Sequence, residues 1–336
     1  MPPGYPSADA PWQTGKKART VQPAKAPPAE PKAAAPAEAA ATPPATAPSD
    51  TALGLPELPL PETVPQRNHQ ISVSGDYFLG EGDVTMPFGF SLVRILPDDV
   101  EPNVAKPDRT SDYIGATLSY SYRQIWFLDL AYAHGESSGS ADVTLGTSVP
   151  PIPSEFQITD DWYSAYVRFE PPGLTGKRLK AYFRAGLSYV TAELTDETVF
   201  PALGLYKQTD ETEDLMGNLG FGARYILYST PKVRLNLQLE GEGFYGMRSQ
   251  ESLEELPEVE LGVPFEKAKI DNDIYGGTGR FTFRLDYIFS DALRIFTDVG
   301  FQAKFLQIDY SDDFDLGSED ELLWGPYAKV GLIYQF

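Results

Sequence analysis

Between residues 70 and 336, ionisable side chains recur at every second position of extended, alternating segments. They are Asp76, Asp129, Arg168, Lys180, Arg184, Arg224, Arg234, Glu240, Glu242, Arg280, Arg284, Asp286, Arg294, Asp298, Lys304 and Lys329. A spacing of two, as in Glu240/Glu242 or Arg284/Asp286, puts such groups on one face of a strand. Charges of both signs on one enclosed face can form a ladder of ion pairs that fills a narrow interior. Arg and Lys outnumber Asp and Glu in this set, so the other chemistry it could support is a narrow passage that prefers anions. Tyr182, Phe244 and Phe296 share that face and would obstruct water, which favours the filled interior.

Two further groups could do chemistry. Glu251, Glu254, Glu255, Glu258, Glu260 and Glu266 fall in one expected loop, and Asp312, Asp313, Asp315, Glu319, Asp320 and Glu321 in another. Carboxylates alone suit hard cations, so Ca²⁺ or Mg²⁺ is the candidate ligand there, although the twelve-residue Ca²⁺ loop with its glycine is missing and the ordinary reading is solvated surface. Otherwise no cofactor is expected. The two histidines are His69 and His134, and near His134 stand Glu136 and Ser137, the material for an imitation Ser/His/Glu set. No nucleophile elbow, phosphate loop or zinc-binding helix motif accompanies them, so no catalytic residue is assigned and the chain reads as a non-enzyme.

The elements that must carry these residues are strands. Ten are expected, at 70–80, 111–122, 124–134, 157–170, 178–193, 212–228, 232–248, 272–289, 292–309 and 322–336. Phe281, Phe283, Leu285 and Tyr287 alternate with Arg280, Thr282, Arg284 and Asp286; Ile295, Thr297, Val299 and Phe301 alternate with Arg294, Asp298, Gly300 and Gln302. Short turns at Arg123, 171–177, 229–231 and 290–291 alternate with long connections at 81–110, 135–156, 194–211, 249–271 and 310–321. Tyrosines and tryptophans gather at the two ends of the apolar face. Trp126, Tyr287, Tyr334 and Phe336 lie near the short turns; Tyr77, Tyr132, Tyr189, Tyr245, Tyr275 and Trp324 lie near the long connections. Two belts of amphipathic rings around an aliphatic band match the two interfaces of a bilayer. The apolar face is therefore expected to face lipid. A sheet edge in hydrocarbon is costly, so 322–336 should pair with 70–80 and close the sheet. Gly186, Gly220, Gly222, Gly276 and Gly300 on the inner face should admit large neighbours.

The chain ends in LLWGPYAKVGLIYQF, with Trp324, Ala328, Val330, Leu332, Tyr334 and Phe336 on one side and Gly325, Tyr327, Lys329, Gly331 and Gln335 on the other. This ending resembles the last strand of the bacterial outer-membrane β-barrels, where a terminal Phe after alternating apolar residues is an assembly signal. The resemblance covers about residues 70–336. It implies a closed, antiparallel, up-and-down transmembrane barrel of ten strands in the outer membrane, with barrel assembly machinery engaging the last strand and outer-membrane lipid around the wall. Residues 84–95 alternate through Val84, Met86, Phe88, Phe90 and Leu92, and Ala141, Val143 and Leu145 do so weakly, so twelve strands is the alternative. Ten-strand proteases of the omptin family carry an Asp-x-His spacing; here Tyr132 stands two residues before His134.

Composition agrees with this class. There is no cysteine, and the net charge of −21 with an acidic pI argues against nucleic acid as a partner. Mean hydropathy is −0.29 and no long apolar run exists, so a helical membrane span is excluded, whereas alternating strands escape that test. Residues 1–68 hold more than half of the 30 prolines together with alanine tracts, and are expected to form a disordered tether, with 69–336 as the barrel. An even strand count puts both ends, and the tether, on the periplasmic side, with the long acidic loops outside. Lys16, Lys17, Arg19, Lys25 and Lys32 make the cell wall or another periplasmic partner a candidate for the tether. Met1-Pro2-Pro3-Gly4 lacks the pattern of a secretory leader, so a processed or re-engineered form is expected. The leading function is structural anchoring, the alternative a narrow porin-like channel, and the remote one a surface protease or lipid-modifying enzyme.

Overall fold

The computed structural model describes residues 67–84, 102–104, 108–145, 152–174, 178–200, 204–255, 268–309 and 318–336. Eleven strands run in chain order: β1 His69–Val84, β2 Pro102–Val104, β3 Asp108–Tyr122, β4 Trp126–Leu145, β5 Ile152–Phe169, β6 Leu179–Phe200, β7 Gly204–Ser229, β8 Val233–Glu255, β9 Ala268–Ile288, β10 Leu293–Asp309 and β11 Ser318–Gln335. Ten of them form one antiparallel up-and-down sheet. It closes because β4 pairs with both β3 and β5, and because β1 pairs with both β3 and β11. At the seam His69 and Phe336 exchange backbone hydrogen bonds of 3.3 and 3.0 Å, so the first and last strands leave no free edge there. The short β2 lies only against the far end of β4, pairing Val104 with Val143, and adds no wall strand. The ten-strand expectation holds; apart from Val84, which ends β1, the segment 84–95 lies outside the described residues.

All short connections lie at one mouth. Arg123 and Gln124 both have φ of 54° and Ile125 N–H donates to Tyr122 C=O at 3.2 Å, the geometry of a type I′ hairpin turn. Pro172–Leu174 forms a 3₁₀ turn between β5 and β6, while the Thr230 and Ser290 hydroxyls bond the backbone of the β7–β8 and β9–β10 turns. At the other mouth the sequence reading needs correction. Most of the expected long loops are strand: β4 runs on to Leu145, β6 and β7 leave only 201–203 between them, and β8 reaches Glu255. Glu251, Glu254 and Glu255 therefore belong to β8, and Glu319, Asp320 and Glu321 to β11. Glu258, Glu260, Glu266, Asp312, Asp313 and Asp315 lie outside the described residues. Polar strand ends such as Thr195–Glu197 against Gln208 and Lys207 lack the apolar alternation that marks a strand in sequence, yet the ladder continues through them because each new pair satisfies backbone groups at both partners.

Burial decides which face points where. On the apolar face Leu219 is 73% exposed, Val330 56% and Phe281 42%, whereas Arg284, Asp286 and Asp298 on the opposite face are 7%, 7% and 5% exposed. Charged residues are inside and apolar residues outside, the reverse of a water-soluble barrel. A bulge between Ile226 and Tyr228 in β7 resets the alternation, which returns Tyr228 to the outer face beside the short-turn mouth. The ten wall strands are 15 to 26 residues long, while about 9–11 suffice to cross a bilayer, so the wall extends well past the apolar band.

Candidate functional site: the barrel interior

The interior is built by register. Each strand sends alternate residues inward, and neighbouring strands place those residues side by side, so charges distant in sequence meet inside the barrel. Arg280 of β9 donates to Glu240 of β8 at 3.1 Å and grips Gln302 of β10 through two bonds of 2.9 and 2.7 Å. The Tyr182 hydroxyl donates to the same Glu240 from β6. Arg184 pairs with Glu242, Arg284 with Asp286 at 2.9 Å, and Arg168 with Asp129 at 3.4 Å. Lys329 donates to Thr117 across the β3 side of the barrel.

Aromatic rings complete the filling. The guanidinium of Arg284 lies 3.7 Å from the centre of the Phe296 ring, Arg168 4.0 Å from Phe127, Arg280 4.2 Å from Tyr327 and Arg184 5.1 Å from Tyr166. Each stack lets a planar cation pack against an apolar surface while its N–H groups stay in plane for carboxylates. Opposite the rings stand inner glycines. A Cβ on Gly222 would strike the Tyr182 ring, and one on Gly276 would come within 2.6 Å of Phe244. Above these layers Val190, Met216, Phe244, Ile274, Leu306 and Ile308 form an apolar cluster inside the barrel, with Trp162 against it.

A second polar layer lies toward the mouth opposite the short turns. Arg109 pairs with Glu321, and donates to Ser137 at 2.8 Å; the Tyr113 hydroxyl donates to Asp160 at 2.7 Å; Arg248 makes a bidentate pair with Asp214, both bonds 2.8 Å; Lys304 lies 3.7 Å over the Trp162 ring. Burial alone would raise the Glu321 carboxyl, but Arg109 and Lys304 override it and hold it below the usual carboxylate range. Of this layer only Lys304 is in the expected set. Arg109 and Glu321 fall in stretches that read as loops, and Asp160 and Arg248 share the parity of Arg168 and Glu242, the signal that would have found them.

The expected residues fall as follows. Asp76, Asp129, Arg168, Lys180, Arg184, Arg224, Arg234, Glu240, Glu242, Arg280, Arg294, Lys304 and Lys329 are half-buried on the inner face, and Arg284, Asp286 and Asp298 are buried there. The belt aromatics Tyr77, Trp126, Tyr132, Tyr189, Tyr245, Tyr287, Trp324, Tyr334 and Phe336 are exposed on the outer face, and Tyr275 is half-buried among them. His134 is also on the outer wall, just beyond the upper aromatic row. There β4–β5 register sets it opposite Asp161, with Nδ1 2.9 Å from the carboxylate, and the Tyr132 hydroxyl bonds the same carboxylate oxygen at 2.7 Å. Sequence spacing could not show this pair, because a hairpin brings its members together. Ser137 points the other way, buried and bonded to Ser111 and Arg109, so it cannot serve a site at His134.

An apolar wall around a closed sheet with a polar interior meets the demands of hydrocarbon on the backbone. The chain folds as a closed, ten-strand antiparallel β-barrel with its apolar face outward. No protein-family model and no curated protein matches it. Among solved structures, the barrel is similar to the outer-membrane protease OmpT from Escherichia coli, at 9% identity and a TM-score of 0.45 over 82% of this chain and 98% of that one. It is likewise similar to the translocator domain of the autotransporter NalP from Neisseria meningitidis (9% identity, TM-score 0.40, 81% and 90% covered) and to OprG from Pseudomonas aeruginosa (12%, 0.29, 81% and 97%). At such identities none of them assigns a residue here.

Proposed function

We propose that the barrel is a sealed, non-enzymatic membrane anchor of the bacterial outer membrane, with the short-turn mouth and the N-terminal segment on the periplasmic side and the extended strand ends outside. The observation that supports this reading is what stands inside the sheet: the Arg–ring stacks at Phe127, Phe296 and Tyr327, and the apolar cluster around Phe244, take up interior space that a solute would need. Passage of ions would require breaking several buried ion pairs at once, which is costly. The acceptor for insertion is outer-membrane lipid, with the β11 strand and its terminal Phe336 as the element that assembly machinery engages. The Pro/Ala-rich segment then supplies reach toward a periplasmic partner, the cell wall being the anionic polymer its lysines suit. Planar-bilayer recording tests it: purified barrel should insert without discrete current steps, and well-resolved, salt-dependent steps would replace the anchor with the channel reading.

A further inference from the structure

Four cations gather at the short-turn mouth without a carboxylate partner among the described residues. Lys180, Arg234 and Arg294 are each the second residue of a strand that rises from that mouth, β6, β8 and β10. Arg224 stands directly opposite Lys180 in the β6–β7 register. Arg234 faces Asp286 in the β8–β9 register, but that carboxylate is already held by Arg284 at 2.9 Å and Asn236 at 2.8 Å. What remains for Arg234 is the Ser229 hydroxyl at 3.4 Å, and for Arg294 the side-chain carbonyl of Gln335 at 3.2 Å. The side chains of Lys180 and Arg224 have no hydrogen bond to any described residue, and the Nε of Arg224 and of Arg294 are closed off from solvent without an acceptor.

The four are near enough for their charges to act on one another, Lys180 with the three arginines and Arg294 with Arg234; Glu170, Asp286 and Asp291 also act on them, but none of these carboxylates pairs directly with any of the four. Like charges placed directly opposite on neighbouring strands repel, and a buried guanidinium N–H without an acceptor is unfavourable. Elsewhere in the same interior the arginines stand next to an acid: Arg184, Arg248, Arg280 and Arg284 each pair with a carboxylate. Of the acidic side chains at this mouth, Glu170 is buried beside Arg168 at 3.9 Å and is shared, and Asp291 lies exposed in the β9–β10 turn. Guanidinium forks and an ammonium converging on one volume match an anion that offers several oxygens.

We propose that the short-turn mouth of the barrel binds a phosphate-type oxyanion, held by Lys180, Arg224, Arg234 and Arg294. The oxyanion completes the hydrogen bonding of the two guanidinium Nε groups and neutralises the repulsion across β6–β7. Its source is either free phosphate or the phosphate of a lipid headgroup at that membrane face. The assignment goes beyond the anchoring role and does not depend on it.

The test uses the full chain folded in a maltoside detergent, which carries no phosphate. Inorganic phosphate and a short-chain phosphatidylglycerol are titrated separately, at constant ionic strength set with chloride, and the thermal unfolding midpoint is read. An upward shift with inorganic phosphate supports the site with a free anion as its ligand; a shift with the lipid alone supports it with a headgroup as its ligand. The double variant Lys180→Gln/Arg224→Gln should lose the shift and, without any ligand, should unfold no lower than the parent, since removing opposed charges relieves repulsion. Should the double variant not refold, broadening of the phosphorus NMR line of inorganic phosphate by the parent, absent with single Arg224→Gln, decides in its place. No shift with either titrant, or a shift that survives in the variant, overturns the proposal.

Discussion

At the scale of residues, the interior works because most of its carboxylates are held by an arginine. Glu240 is the densest node, taking bonds from Tyr182 and Arg280. Glu240→Ala leaves the half-buried Arg280 guanidinium without its acid and should cost about 2–3 kcal/mol, read from denaturant unfolding in micelles. Glu197→Ala breaks only the exposed pair with Lys207 at 3.6 Å and should stay within about 1 kcal/mol. His134 gives a pH signature on the outer wall. Its hydrogen bond to Asp161 raises its pKa, so its stabilising contribution is complete below the ordinary histidine value of about 6.5 and is lost as pH rises through the raised one. The Tyr132 hydroxyl, then His134, lower the Asp161 carboxyl, whose contribution is present above the ordinary carboxylate value and disappears as pH falls through the lowered one. The pair is thus intact between the two. Proton NMR should show a His134 midpoint above that of free histidine, and Asp161→Asn should bring it down; an unchanged midpoint in that variant would refute the pairing. The inner charges were legible in sequence because parity alone reports the face. The His134–Asp161 pair was not, because its members are linked only through a hairpin.

At the scale of elements, the tightest local demand falls on the β3–β4 turn. Arg123 and Gln124 both occupy left-handed backbone, where a Cβ meets the neighbouring carbonyl, and neither is a residue suited to it. Replacing them with Asn-Gly should stabilise the barrel by about 1 kcal/mol, measured as a shift in denaturant midpoint without a change in slope. Strand cores were plain from alternation, as in β9 and β10, where Phe and Leu outside alternate with Arg, Asp and Thr inside. Strand ends were not. Residues 195–197 and 207–211 are polar on both faces and read as a loop, because beyond the lipid the outer face meets water and alternation has nothing to separate.

At the scale of the whole molecule, the position of the apolar band sets how a charge is tolerated. Leu219 stands in the middle of the exposed band, and Met247 near its upper edge, close to Tyr245. Leu219→Arg should destabilise the barrel by about 2–4 kcal/mol in vesicles, and Met247→Arg by about 0–1 kcal/mol. Equal losses at the two sites would contradict the placement of the band. The same whole-molecule geometry explains the wall height, since β5–β9 run 18 to 26 residues and carry the sheet past any lipid surface.

By itself the amino-acid sequence determined the alternation, the two aromatic rows and the closing Phe336, because a two-residue period and the cost of unpaired backbone in hydrocarbon act on each strand locally. Only the closed tertiary structure decided that Arg280 meets Glu240, that His134 meets Asp161, and that Lys180 and Arg224 are left opposed. Those meetings depend on register between strands, and register is a property of the sheet as a whole: shifting one pairing by a residue would exchange every inner side chain for an outer one.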